Sequence, residues 1–92
     1  MSEPLDLKEL VEWSKSISRA AREYREDHWN ADADVRVAAR FVALCMEVRN
    51  VGKATTLDFL RITPYLDWIK KTARRCDRLG YACNEFLMRY EI

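Results

Sequence analysis

Leu7, Leu10, Ser14, Ile17, Ala21, Tyr24 and His28 follow one another in alternating steps of three and four over about 22 residues. Only an α-helix gathers such positions into one stripe, so this segment commits to an amphipathic helix whose seam must be buried against other helices. Its start is punctuated as well. Asp6 and Glu9 have the spacing of a capping box, and Leu5 and Leu10 that of a hydrophobic staple. The opposite face carries Lys8, Glu12, Lys15, Arg19, Glu23 and Glu26. The pairs Arg19/Glu23 and Arg22/Glu26 are four apart and are each worth only about 0.3 kcal/mol.

Residues 27–34 break this pattern with several helix-capping side chains and read as a loop. A second helix follows, from about Ala33 to Arg49, with apolar residues around nearly its whole circumference and a polar stripe of Arg36, Arg40 and Glu47. Such a helix belongs in the middle of a bundle or in a dimer interface. Gly52 suits a left-handed cap at its end. Thr55 and Asp58 then offer a capping box for a short third helix, Thr56 to Ile62, which Thr63-Pro64 stops. With Thr63 as N-cap and Pro64 at the first helical position, a fourth helix is predicted from Pro64 to Tyr90. Its seam, Leu66, Ile69, Ala73, Cys76, Gly80, Cys83, Leu87 and Tyr90, stays in phase across Gly80, although glycine costs about 1 kcal/mol inside a helix. The competing reading ends this helix at Leu79 with Gly80 as its cap.

Only two Gly and two Pro occur in 92 residues, too few turn formers for a β-sandwich or barrel. The expectation is therefore an all-α compact bundle of three to four helices in one domain over 1–92. It would have two long seamed helices, one central apolar helix and one short connector. The longest apolar run, Phe41 to Met46, is far below the roughly 20 residues that span a membrane. The N-terminal residues show no secretory pattern. Three cysteines, with Cys76 and Cys83 two helical turns apart, read as free thiols in a reducing cytoplasm.

Chemical motifs are excluded one at a time. Asn30, Asp32 and Asp34 place oxygens at alternate positions, but Val35 stands where a calcium loop turns on glycine and Phe41 where it needs a bidentate glutamate. Gly52-Lys53 lacks the earlier glycine and the following hydroxyl of a phosphate loop. His28 and the three cysteines lack the close ligand pairs of a zinc site. His28, at a helix C-terminus, is favourably placed for the helix dipole, and Ser14, Ser16 and Ser18 have no base beside them. No catalytic, cofactor or metal site is expected.

What remains is surface. The net charge of +1 conceals nine acids and five bases in residues 1–34, a balance of −4, against six acids and eleven bases in residues 35–92, a balance of +5. Two partner-binding surfaces follow. One is an acidic end: Glu23, Glu26, Asp27, Asp32 and Asp34. The other is a basic-aromatic face on the fourth helix: Tyr65, Trp68, Lys71, Arg74, Arg75, Arg78 and Phe86. The leading expectation is a small cytoplasmic, non-enzymatic protein-binding module, a stoichiometric inhibitor or adaptor of a larger protein. Its size is that of immunity proteins, anti-sigma factors and phage-encoded inhibitors. The unlike-charged halves and the apolar second helix also suggest a homodimer. The alternative is a helix-turn-helix DNA-binding regulator using residues 43–62. Its second helix would present Thr55, Thr56, Asp58 and Arg61, and nucleic acid ranks below protein because Asp58 repels phosphate.

Overall fold

The computed structural model describes residues 7–52 and 56–90, with the side chains of 56–59 and 90 left aside. Among these residues the chain forms four α-helices and no strand: α1 (Leu7–Asp27), α2 (Asp32–Val51), α3 (Thr56–Thr72) and α4 (Arg78–Tyr90), with a 3-10 turn, Trp29–Ala31, between the first two. The expected all-α bundle is what the chain adopts. Each helix has two neighbours: α1 packs on α2 and α4, and α3 packs on the same two.

The seam of α1 goes inward as its spacing requires. Leu10, Ser14, Ile17 and Ala21 are buried and Leu7 and Tyr24 half-buried, but the helix stops at Asp27 and leaves His28 exposed. Val11 and Ala20 are also buried, because α1 faces two helices and needs a stripe wider than one seam. The Ser14 hydroxyl donates to the Val11 carbonyl at 2.7 Å, so this buried polar group is satisfied. The proposed caps at Asp6 and Thr55, and the staple residue Leu5, lie outside the described residues.

On α2, Ala38, Phe41, Leu44, Cys45 and Val48 are buried. Phe41 joins three helices, with Tyr65 of α3 at 5.6 Å and Phe86 of α4 at 5.5 Å, the latter edge-on. The outward face of α2 carries Ala39, Ala43 and Met46 beside Arg36, Arg40 and Glu47, so the bundle buries most but not all of its bulky apolar residues, leaving Met46 and Val51 exposed. Gly52 caps α2 at φ 88°, its N–H reaching the Val48 and Arg49 carbonyls, as expected.

The second half of the chain departs from expectation. There is no short connector ending at Ile62: α3 has 17 residues and runs through Pro64. A proline inside a helix removes one backbone hydrogen bond, and here the ring lies on the exposed face. Ile62 and Ile69, seven residues apart on the buried face, hold both halves in the core. Nor is there a single helix from Pro64 to Tyr90. The chain leaves α3 after Thr72, turns through Ala73–Asp77 and re-enters helix at Arg78. The break is therefore neither absent nor at Gly80.

Candidate functional site

The turn between α3 and α4 is built by three residues. Asp77 is the N-cap of α4, its Oδ1 accepting the Gly80 N–H at 2.9 Å. Gly80 must be glycine, since a Cβ there would overlap the Arg75 carbonyl. Arg75 reaches back across the bundle. Its Nε donates to Asp77 at 2.9 Å and its Nη1 to Asp34, at the start of α2, at 3.3 Å. Its guanidinium lies 4.2 Å above the Tyr24 ring, which stacks on His28 at 4.0 Å. Trp68 also donates to Asp34, at 3.3 Å. Burial opposes the charge on Arg75, but the hydrogen bond and proximity of Asp77, with the bond to Asp34, outweigh it and raise its pKa.

These contacts revise both predicted surfaces. The antiparallel packing brings the acidic end and the basic residues to the same end of the bundle, where part of each neutralises the other. Asp34 is taken by Arg75 and Trp68, Glu23 by Arg78 at 2.6 Å, and Asp32 by Arg25 at 3.6 Å. Glu26 and Asp27 stay exposed without an ion pair among the described residues. The basic-aromatic face does not exist as one stripe, because the helix meant to carry it is two helices. Phe86 is core. Tyr65 and Trp68 are half-buried against the core on α3, and Arg75 is a tether. Lys71 and Arg74 remain exposed and unpaired among the described residues.

The remaining chemistry is quiet. Burial pushes the Cys45 thiol up to about 12 despite the neighbouring Ser14 hydroxyl, and the Cys83 thiol up to about 12 against the nearby Arg75 charge. Both stay protonated near neutral pH. Cys76 lies exposed in the α3–α4 turn, and all three cysteines are free. The His28 ring shares a hydrogen bond with the Tyr24 carbonyl through Nδ1, at 3.1 Å. Among the described residues no three His, Cys, Asp or Glu side chains are grouped to hold a metal, and no helix is long and apolar enough to cross a membrane.

Sequence reasoning missed three things. Trp29, read as part of a loop, stands 88% exposed on the 3-10 turn between Asp27 and Asp32. Arg40, read with Arg36 and Glu47 as a polar stripe, borders an open groove between α2 and α3 that Arg61 and Tyr65 line from the other side. Asp77, outside both predicted surfaces, is a cap. An Asp three residues before the chain's second glycine was the available signal for the last. Comparison with protein-family models, characterised proteins and solved structures returns no match to this chain.

Proposed function

We propose that this chain is a small, non-enzymatic protein-binding module that occludes or tethers a larger protein stoichiometrically. The observation that carries this reading is Trp29. Among the described residues it is the most exposed of the large apolar side chains, displayed on a turn at the end of the bundle and flanked by the exposed carboxylates of Glu26, Asp27 and Asp32. Tryptophan buries more apolar area than any other side chain and is enriched at binding hot spots, so full exposure fits a residue waiting for a partner. The reading of the chain as non-enzymatic is supported by how its reactive groups are spent. Ser14 donates to a backbone carbonyl, the buried thiols are held protonated, and Arg75 is engaged by Asp77, Asp34 and the Tyr24 ring. Free cysteines fit a reducing compartment such as the cytoplasm.

The test is capture from a native extract with wild-type chain and with Trp29→Ala, run beside a duplex-DNA shift at several salt concentrations. A protein retained by the wild type at a fixed ratio and lost with Trp29→Ala supports the module. A salt-sensitive DNA shift without a protein partner reverses the order of the two readings, in favour of a helix-turn-helix regulator. Light scattering separates a second copy from a foreign partner, since a clean 11 kDa species excludes the homodimer.

A further inference from the structure

The open groove between α2 and α3 holds about 400 Å³ and is lined by Arg40, Ala43, Leu44, Glu47, Arg61 and Tyr65. Leu44 is buried and forms an apolar floor, while Tyr65 is half-buried against Phe41 and forms one wall. Glu47 accepts two hydrogen bonds from Arg61, at 3.0 and 3.2 Å, so that end of the groove is close to neutral. The α2 lip differs. Arg40, and Arg36 one turn before it, are exposed and have neither ion pair nor hydrogen bond among the described residues. The nearest acids along α2 are already engaged, Asp34 by Arg75 and Trp68, and Asp32 by Arg25. On the α3 side, Lys71 is exposed too but does not line the groove, so the charge at the α2 lip is that of the two arginines.

The geometry points to this groove as the docking site for a short acidic segment of a protein partner, its carboxylates on Arg36 and Arg40 and an apolar side chain against Leu44 and Tyr65. Guanidinium groups bind carboxylates through paired hydrogen bonds, and two of them one helical turn apart match side chains on a single helix or extended segment. A nucleic acid fits less well. A backbone of continuous phosphates needs an unbroken run of cations, which the neutralised Glu47–Arg61 end of the groove does not offer, whereas a peptide needs only two correctly spaced charges. The inference rests on the reading of the chain as a protein-binding module and assigns it a second surface, separate from Trp29.

The probe is a labelled peptide alternating Glu with Leu, compared by fluorescence anisotropy with the same peptide carrying Gln for Glu. The Glu peptide should bind at least about tenfold more tightly, and the Arg36→Glu/Arg40→Glu chain should lose about tenfold in affinity for it. Trp29→Ala should bind it unchanged. Circular dichroism establishes that the double variant is folded, and the milder Arg36→Gln/Arg40→Gln chain should fall between it and wild type. Equal binding of both peptides, indifference to the double charge reversal, or preferential binding of duplex DNA by the same arginines overturns the inference. Its failure is distinct from that of the functional reading. If the double variant still retains an extract partner that Trp29→Ala loses, the groove assignment falls and the module stands. If no protein is retained by the wild type, the module falls and the peptide result alone decides the groove.

Discussion

Two turns sit side by side at one end of the bundle, and they are built in opposite ways. The α3–α4 turn is tethered: Asp77 caps the next helix, Gly80 lets the backbone close in, and Arg75 ties the turn to Asp34 and Tyr24 on two other helices. The α1–α2 turn makes few such commitments. Neither its 3-10 segment nor α2 has a side-chain cap hydrogen bond, and its largest side chain, Trp29, faces water. The difference teaches where each job is done. One turn is held by side-chain bonds to two other helices, and the other leaves Trp29 exposed, where the proposed partner would meet it.

Substitutions in the two turns can break this contrast. The largest effect is expected at Gly80→Ala, because the new methyl would meet backbone rather than a flexible side chain; the loss should be about 3 kcal/mol, roughly a 15 °C fall in Tm. A continuous helix through Gly80 would instead tolerate alanine, so thermal melts test the break directly. Arg75→Ala removes two partly solvated hydrogen bonds and a cation–π contact, and should cost about 1.5 kcal/mol by denaturant titration. It should also unlock the thiol beneath. In wild type near neutral pH only Cys76 should react promptly with a thiol reagent, while Cys83 stays buried and protonated. Faster labelling of Cys83 in the Arg75→Ala chain would show that the tether governs local opening.

Asp77→Ala loses the cap and should cost about 1 kcal/mol, whereas Asp77→Asn should recover most of it, since an amide oxygen caps nearly as well. Should Asn fare no better than Ala, the ion pair with Arg75 outweighs the cap. Trp29→Ala should change stability by less than about 0.5 kcal/mol, the usual figure for an exposed position. A much larger loss in the melt would mean that Trp29 supports the fold, and the contrast between the two turns would disappear.

The parts of the molecule legible in the chain are those whose cause is local. The α1 seam is a repeat of neighbours three and four apart, and the Gly52 cap depends on one residue's tolerance of positive φ. Two apolar-seamed halves with almost no turn formers leave little besides a helical bundle. The candidate surfaces were legible only as inventories of charge. Glu26, Asp27, Lys71 and Arg74 remain where the sequence put them, on the surface, but the fate of Glu23, Asp34, Arg75 and Arg78 depended on partners 41 and 55 residues away.

The sequence by itself determined the helical class, the amphipathic face of α1 and the extent of α2, because hydrogen bonds and side-chain periodicity within a helix span only a few residues. Tertiary structure alone decided that α3 passes through Pro64 and that the chain breaks at Ala73–Asp77. The apolar seam from Leu66 to Tyr90 runs in phase through Ala73–Asp77, so its periodicity does not mark that break. Burial of Ile62 and Ile69 on one face outweighs a missing hydrogen bond on the other. A turn at Ala73–Asp77 is favoured because it lets Arg75 reach Asp34 and Tyr24, contacts that exist only once the helices have packed.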